Sequence, residues 1–213
     1  MELNRLYLIT DRNQIRGRSL VSVVEQALKG GVRAVQLREK DLSGKELLTL
    51  ARELRLLTRE YGATLLINDR VDIAISVEAD GVHLGRQSMS LKDARQAFSE
   101  TLQYVPILGV STHSLVEALE AERDGADFVT FGPVRFTPSK AVYGEPVGID
   151  KLHDVVKALN IPVFAIGGMK KGNMEEVLNA GCYGVAVISA IMSANDVKIA
   201  TEEILQAITD HRL

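Results

Sequence analysis

A short apolar run, then a glycine or polar turn, then an amphipathic helical stretch recurs about eight times along the 213 residues. This alternation restricts the chain to α/β architectures, because successive strands joined through helices lie parallel. Strand-like runs fall at 5–10, 32–39, 64–68, 81–84, 105–110, 128–131, 162–166 and 184–188. Helical patterns fall at 20–28, 43–61, 71–77, 91–98, 114–123, 149–159, 173–179 and 195–209. Ser43 is positioned as an N-cap for the longest helix and Gly62 as its terminator. Residues 132–148 carry Pro133, Pro138, Gly144 and Pro146 and read as an irregular loop.

Most of the strand runs hold continuous apolar stretches rather than strict alternation, as expected for strands covered on both faces. Closure into a (β/α)8 TIM barrel buries all of them and leaves no free edge. The rival architecture, an open doubly wound sheet, would carry a GxGxxG turn after the first strand, and TDRNQIRGR does not supply it. No linker or low-complexity segment divides the chain, so a single barrel domain over 1–213 is expected. A formal net charge of −3 gives no general reason to expect nucleic acid or an anionic membrane as partner, while leaving room for local cationic sites. The early charges in MELNRLYLITDR argue against a secretory leader, and no apolar run is long enough to span a bilayer. The one cysteine, Cys182, excludes an internal disulfide and reads as core packing. A cytoplasmic location is the expectation.

In a parallel barrel, residues just beyond the strand C-termini gather on one face, where the chemistry of such barrels resides. Gln36, Arg38 and Lys40 end the second strand; Asn68 and Asp69 follow the third; His83, Arg86 and Ser88 belong to the fourth. Ser111 and His113 come from the fifth, Thr137, Ser139 and Lys140 from the irregular loop, and Gly167, Gly168 and Ser189 from the last two. The alternation Gln36-x-Arg38-x-Lys40 puts three polar side chains on one side of a strand, with Leu37 and Glu39 opposite. It reads either as an ion-paired or exposed strand end, or as an anion site, since Arg offers a planar fork and Lys a point charge. Gly167-Gly168 is either a plain turn or a place where backbone N–H groups approach a phosphate. Asn68-Asp69 is a helix cap or a metal-binding pair, and Ser111-Thr112 a helix cap or a ligand contact. Lys140 is either solvated or an anion donor beside Thr137 and Ser139. His83 and His113 read either as catalytic groups or as hydrogen-bonded structural ones; no adjacent Ser or Cys pattern suggests a nucleophile triad, and no His/Cys spacing fits zinc.

Together, QLREK at 36–40, IND at 67–69, DGVHLG at 80–85, GVST at 109–112, FGPV at 131–134, TPSK at 137–140, AIGG at 165–168 and VISAI at 187–191 resemble thiamine phosphate synthase. The likeness runs in order over nearly the whole chain. It implies a (β/α)8 barrel that joins hydroxymethylpyrimidine diphosphate to a thiazole phosphate, releasing diphosphate, with Mg²⁺. In that chemistry the pyrimidine ionises to a stabilised cation before the thiazole nitrogen attacks, so the protein must hold diphosphate and exclude water. Carried over by position, Gln36, Leu37, Arg38, Glu39, Lys40 and Asn68 would bind the pyrimidine diphosphate, and Ser111 and Lys140 would contact the diphosphate or pyrimidine. Arg38, Lys140 and Ser111 would carry catalysis. Thr137, Pro138, Ser139, Gly167, Gly168, Ile188 and Ser189 would bind the thiazole phosphate. Asp69 would hold Mg²⁺, with Ser88 at the second metal position.

That second position is a departure. Where the family usually has Gln-Glu-Asp after HLG, this chain has Arg86-Gln87-Ser88, so a hydroxyl replaces a carboxylate and a weakened Mg²⁺ site is expected. Ser139 stands where the family commonly has threonine. The related thiazole tautomerase shares the missing aspartate, but its catalytic histidine would fall at Pro133, which has no exchangeable proton. A transferase acting on small phosphorylated pyrimidine and thiazole substrates is the expected function. The alternatives are a metal-independent tautomerase using another acid–base residue such as His113, and a non-catalytic phosphate-binding barrel.

Overall fold

A computed structural model describes residues 3–102, 104–137 and 145–211. Strands β1 (Leu6–Ile9), β2 (Ala34–Leu37), β3 (Thr64–Asn68), β4 (Gly81–Leu84), β5 (Ile107–Thr112), β6 (Phe128–Phe131), β7 (Val163–Ile166) and β8 (Gly184–Val187) pair in chain order. Every pair is parallel, and β8 closes onto β1 through Leu6–Val185, Tyr7–Ala186 and Leu8–Val187. Around them lie α1 (Leu20–Lys29), α2 (Gly44–Glu60), α3 (Val71–Ser76), α4 (Leu91–Thr101), α5 (Leu115–Arg123), α6 (Gly148–Ala158), α7 (Met174–Asn179), α8 (Ser189–Met192) and α9 (Val197–Asp210). None of the described helices is long and apolar enough to cross a membrane.

Local sequence sets the helix starts. Ser43 and Glu46 form a reciprocal capping box at α2, while Ser90, Ser114 and Asp196 accept the Asp93, Glu117 and Ile199 amides at α4, α5 and α9. Each such cap stabilises its helix by about 1 kcal/mol.

Side-chain alternation along the strands divides the core in two. Leu6, Leu8, Val35, Leu37, Leu65, Ile67, Val82 and Val129 join the large cluster that includes the buried helix faces, whereas Tyr7, Ile9, Ala34, Leu66, Phe128, Phe164 and Ala186 form a smaller second cluster within the barrel. Its rings meet edge to face: the Tyr7–Phe128 centroids are 5.6 Å apart and the Phe128–Phe164 centroids 5.4 Å. Gly109 makes room for them, since a Cβ there would lie 2.3 Å from Phe128 Cζ and 2.7 Å from His83 Nδ1.

Several expected boundaries shift for physical reasons. β2 stops at Leu37 because the Arg38 N–H turns to Thr10 Oγ1 (2.9 Å), so the strand alternation does not carry to Lys40. β5 begins at Ile107 rather than 105: Pro106 has no N–H for the ladder, and Val105 is 77% exposed. It then continues through Thr112, two residues further than expected. The four-residue α8 and a 3₁₀ turn at Arg12–Gln14 are too short to leave a period in the sequence.

Candidate active site at the strand C-termini

The C-terminal mouth of the barrel has a polar core beneath it. Gln36, 1% exposed, donates from Nε2 to Tyr7 Oη at 2.8 Å. Tyr7 Oη lies 3.4 Å from His83 Nδ1, and His83 Nε2 lies 2.9 Å from Ser111 Oγ and 3.4 Å from Thr130 Oγ1. The strand register explains the meeting, since His83 pairs with Asn68 and Gly109 while Ser111 pairs with Thr130. Burial drives the His83 pKa down to about 3, helped by the Arg38 charge and opposed by Asp69. Burial also raises the Tyr7 phenol, against the opposing Gln36 hydrogen bond. This network is therefore neutral at ordinary pH. The structural reading of His83 is consistent with this placement.

Above it, the turn after β2 presents cations. Glu39 is folded back, accepting from Thr10 Oγ1 (2.7 Å) and from the Arg12 N–H (3.0 and 3.2 Å). Burial raises its pKa, and these hydrogen bonds work in the opposite direction. Arg12 also pairs with Asp41 at 2.6 Å and approaches Glu39 at 3.9 Å. The two nearby carboxylates are thus engaged by Arg12, leaving half-buried Arg38 and exposed Lys40 without an ion-pair partner among the described residues. Leu37 belongs to the outer hydrophobic layer, so its side chain and that of Glu39 are turned away from any ligand at the mouth.

Asn68 ends β3, and Asp69 follows it in the left-handed region (φ 59°). Asn68 Nδ2 donates to Asp69 Oδ2 at 2.7 Å, and Ser88 Oγ donates to Asp69 Oδ1 while accepting from the Gly85 N–H at 2.7 Å. Neither pair is the helix cap that the sequence left open: Arg70 occupies the α3 N-cap without a side-chain bond, and Ser114, not Ser111 or Thr112, caps α5.

Just after β7, Gly167 (φ 96°) and Gly168 (φ 69°) form a turn that only glycine suits. A Cβ on Gly167 would fall 2.5 Å from Pro133 Cβ, and one on Gly168 2.6 Å from Arg135 Cβ. The double glycine therefore first serves to pack the β6 loop, with Val134 and Arg135 N–H groups bonded to Ile166 and Gly167 carbonyls at 2.8 and 3.1 Å. The Gly168 carbonyl accepts from Asn173 Nδ2 at 2.8 Å, whereas its N–H has no acceptor among the described residues. Half-buried Ile188 caps α8, and exposed Ser189 opens it. Half-buried Thr137 ends the described part of the β6 loop; Pro138, Ser139 and Lys140 lie outside the described residues.

Residues 6–191 match the family model for thiamine monophosphate synthase. The chain belongs to the thiamine monophosphate synthase family. It is 58% identical over 191 residues to a putative thiamine-phosphate synthase of Geobacter sulfurreducens, covering 90% of this chain and 88% of that protein. To the thiamine-phosphate synthase of Clostridium novyi it is 43% identical over 203 residues, covering 95% and 98%. Among solved structures, thiamine phosphate pyrophosphorylase from Pyrococcus furiosus is 42% identical with a TM-score of 0.86, covering 97% and 96%. The 3-hexulose-6-phosphate synthase of Salmonella typhimurium, at 17% identity and a TM-score of 0.72, shares the fold.

Within this thiamine monophosphate synthase family member, the groups available to a divalent cation are the Asp69 carboxylate, the Ser88 hydroxyl and the Asn68 amide oxygen. No cluster of three His, Cys, Asp or Glu suited to a metal exists among the described residues. Mg²⁺ often binds through one or two carboxylates completed by waters and substrate phosphates, so this set fits a metal shared with a bound diphosphate. His113 donates through Nδ1 to the Gly132 carbonyl at 2.5 Å, in keeping with a loop-pinning role. Tyr7 and Thr10 carry little signal as site residues in the sequence. Tyr7 sits in the apolar run LYLI, where only its place on the inward side marks it; Thr10 directly follows that run.

Proposed function

We propose that the chain transfers the pyrimidinylmethyl group of hydroxymethylpyrimidine diphosphate to the ring nitrogen of a thiazole phosphate, yielding thiamine phosphate and free diphosphate. Family membership supplies the reaction, and one observation supports this site for it: Arg38 and Lys40, with no ion-pair partner among the described residues, follow β2, the strand paired with β3, which Asn68 ends and Asp69 follows. The mouth also offers a Gly168 N–H and the start of α8. Two anion stations suit two phosphorylated substrates.

In the reaction, the C–O bond to diphosphate breaks with its electron pair leaving on oxygen, and the thiazole nitrogen lone pair forms the new C–N bond. No proton is removed from carbon, so no general base is required, in keeping with a His83 whose two nitrogens face Tyr7 and Ser111. Arg38 and Lys40 would neutralise the departing diphosphate, joined by Lys140 on the strength of the resemblance. Asp69 and Ser88 would hold Mg²⁺, which when bound adds positive charge at the diphosphate oxygens. Thr137, Gly168 and Ser189 would orient the thiazole phosphate.

The test is product formation by purified protein with both substrates and Mg²⁺. Thiamine phosphate and diphosphate should appear in equal amounts and vanish when either substrate is omitted; absence of product with both present would overturn the reading. Ser88 at the metal position favours a tautomerase as the second reading. That activity would show as aromatisation of a carboxylated thiazole phosphate tautomer without Mg²⁺.

A further inference from the structure

The chain of groups beneath Ser111 has a direction. Tyr7 has one phenolic hydrogen, and its Oη already receives the Gln36 Nε2–H at 2.8 Å. Among the described residues, the other polar group bonded to it is His83 Nδ1, at 3.4 Å. Around them the interior is apolar, with Phe128 centred 5.5 Å from His83 and Phe164 5.8 Å from Tyr7. A proton on Nδ1 would leave the phenolic hydrogen without an acceptor in that setting, the full desolvation cost of a buried unmade hydrogen bond. Nδ1 therefore accepts from Tyr7 and the ring hydrogen sits on Nε2. That N–H donates to Ser111 Oγ at 2.9 Å, in preference to Thr130 Oγ1 at 3.4 Å. Ser111, half-buried at the mouth, keeps its own O–H for a group outside the barrel.

We infer that Tyr7, Gln36 and His83 are positioning residues that fix the His83 ring hydrogen on Nε2 and thereby present Ser111 to the mouth as a hydrogen-bond donor. The site then selects a ligand carrying an acceptor, a ring nitrogen or a phosphoryl oxygen, at that place. Its part in turnover rests on the proposed transferase reading; the tautomer itself does not.

The direct test is nitrogen NMR of ¹⁵N-histidine-labelled free protein, which distinguishes the two tautomers without any substrate. The expected result for His83 is a pyridine-type Nδ1 and a pyrrole-type Nε2. A hydrogen on Nδ1 would overturn the inference, because the Gln36 amide would then be turned over and the whole chain would run the other way. Tyr7→Phe should release the preference and give a mixed or reversed tautomer; an unchanged Nε2–H signature would remove Tyr7 from the role. In the transferase assay, His83→Gln keeps a donor near the Nε2 position and His83→Asn does not. The glutamine variant should retain about tenfold more kcat/KM, a difference of about 1.4 kcal/mol. Equal losses in the two would contradict positioning through Nε2, while inactive wild-type protein with the expected tautomer would fault the transferase reading alone.

Discussion

Lowering the pH from 7 to 4.5 should cost the folded barrel about 2.5 kcal/mol through His83 alone. Burial takes this imidazole from its ordinary 6.5 to about 3 in the fold. The unfolded chain therefore binds a proton that the folded chain refuses. Stability from this group is fully present above about pH 6.5 and falls as pH drops towards 3, to a ceiling of roughly 4–5 kcal/mol once both states are protonated. The groups that bear on the ring are Tyr7, which stays protonated, Asp69, which pulls the pKa up, and Arg38, which pushes it down. Urea unfolding at the two pH values, for wild type and His83→Gln, isolates the effect, because carboxylate contributions remain in both. Wild type should lose about 2.5 kcal/mol more than the variant on acidification. Equal losses would show that the ring is hydrated or protonated in the fold and would refute the reasoning.

Three further outcomes are expected. Gly109→Ala should destabilise the barrel by about 2–3 kcal/mol in urea, because its methyl would overlap Phe128 and His83; a wild-type midpoint would mean the interior can give way. Arg38→Ala should weaken diphosphate binding by about tenfold or more in calorimetry, since a charge-assisted hydrogen bond is lost, and unchanged affinity would take Arg38 out of the anion site. Ser88→Asp places a second carboxylate beside Asp69 and should tighten Mn²⁺ binding to the free protein by at least about tenfold, read by electron paramagnetic resonance. If metal affinity does not move, Ser88 is not at the metal position.

Much of the fold is legible in the sequence because each βα unit signals itself locally. The runs at 64–68, 81–84 and 128–131 coincide with β3, β4 and β6, each a buried apolar segment bounded by glycine, aspartate or a helix cap. Boundaries slip where tertiary hydrogen bonding decides them. Nothing within 32–39 announces that Thr10 will capture the Arg38 N–H and Glu39 and end the strand at Leu37. The site divides the same way. Charged and glycine-rich strand ends stand out by residue type, so Arg38, Asn68, Asp69 and Gly168 are visible as candidates. Tyr7 is not, because its hydroxyl acquires meaning only when β1 pairs with β2, the register setting Ile9 against Gln36, and the barrel brings His83 of β4 within reach. The second duty of Gly167 and Gly168, making room for Pro133 and Arg135, depends likewise on a neighbouring strand.

Backbone amide NMR, titrating thiazole phosphate and diphosphate in turn, tests most directly whether one mouth holds two anion stations. Thiazole phosphate should shift the Gly167, Gly168 and Ser189 amides, diphosphate should shift those of Arg38, Lys40, Asn68 and Asp69, and saturating one station should leave the other able to bind. Competition of both ligands for the same amides, or shifts confined to the outer helices, would contradict it.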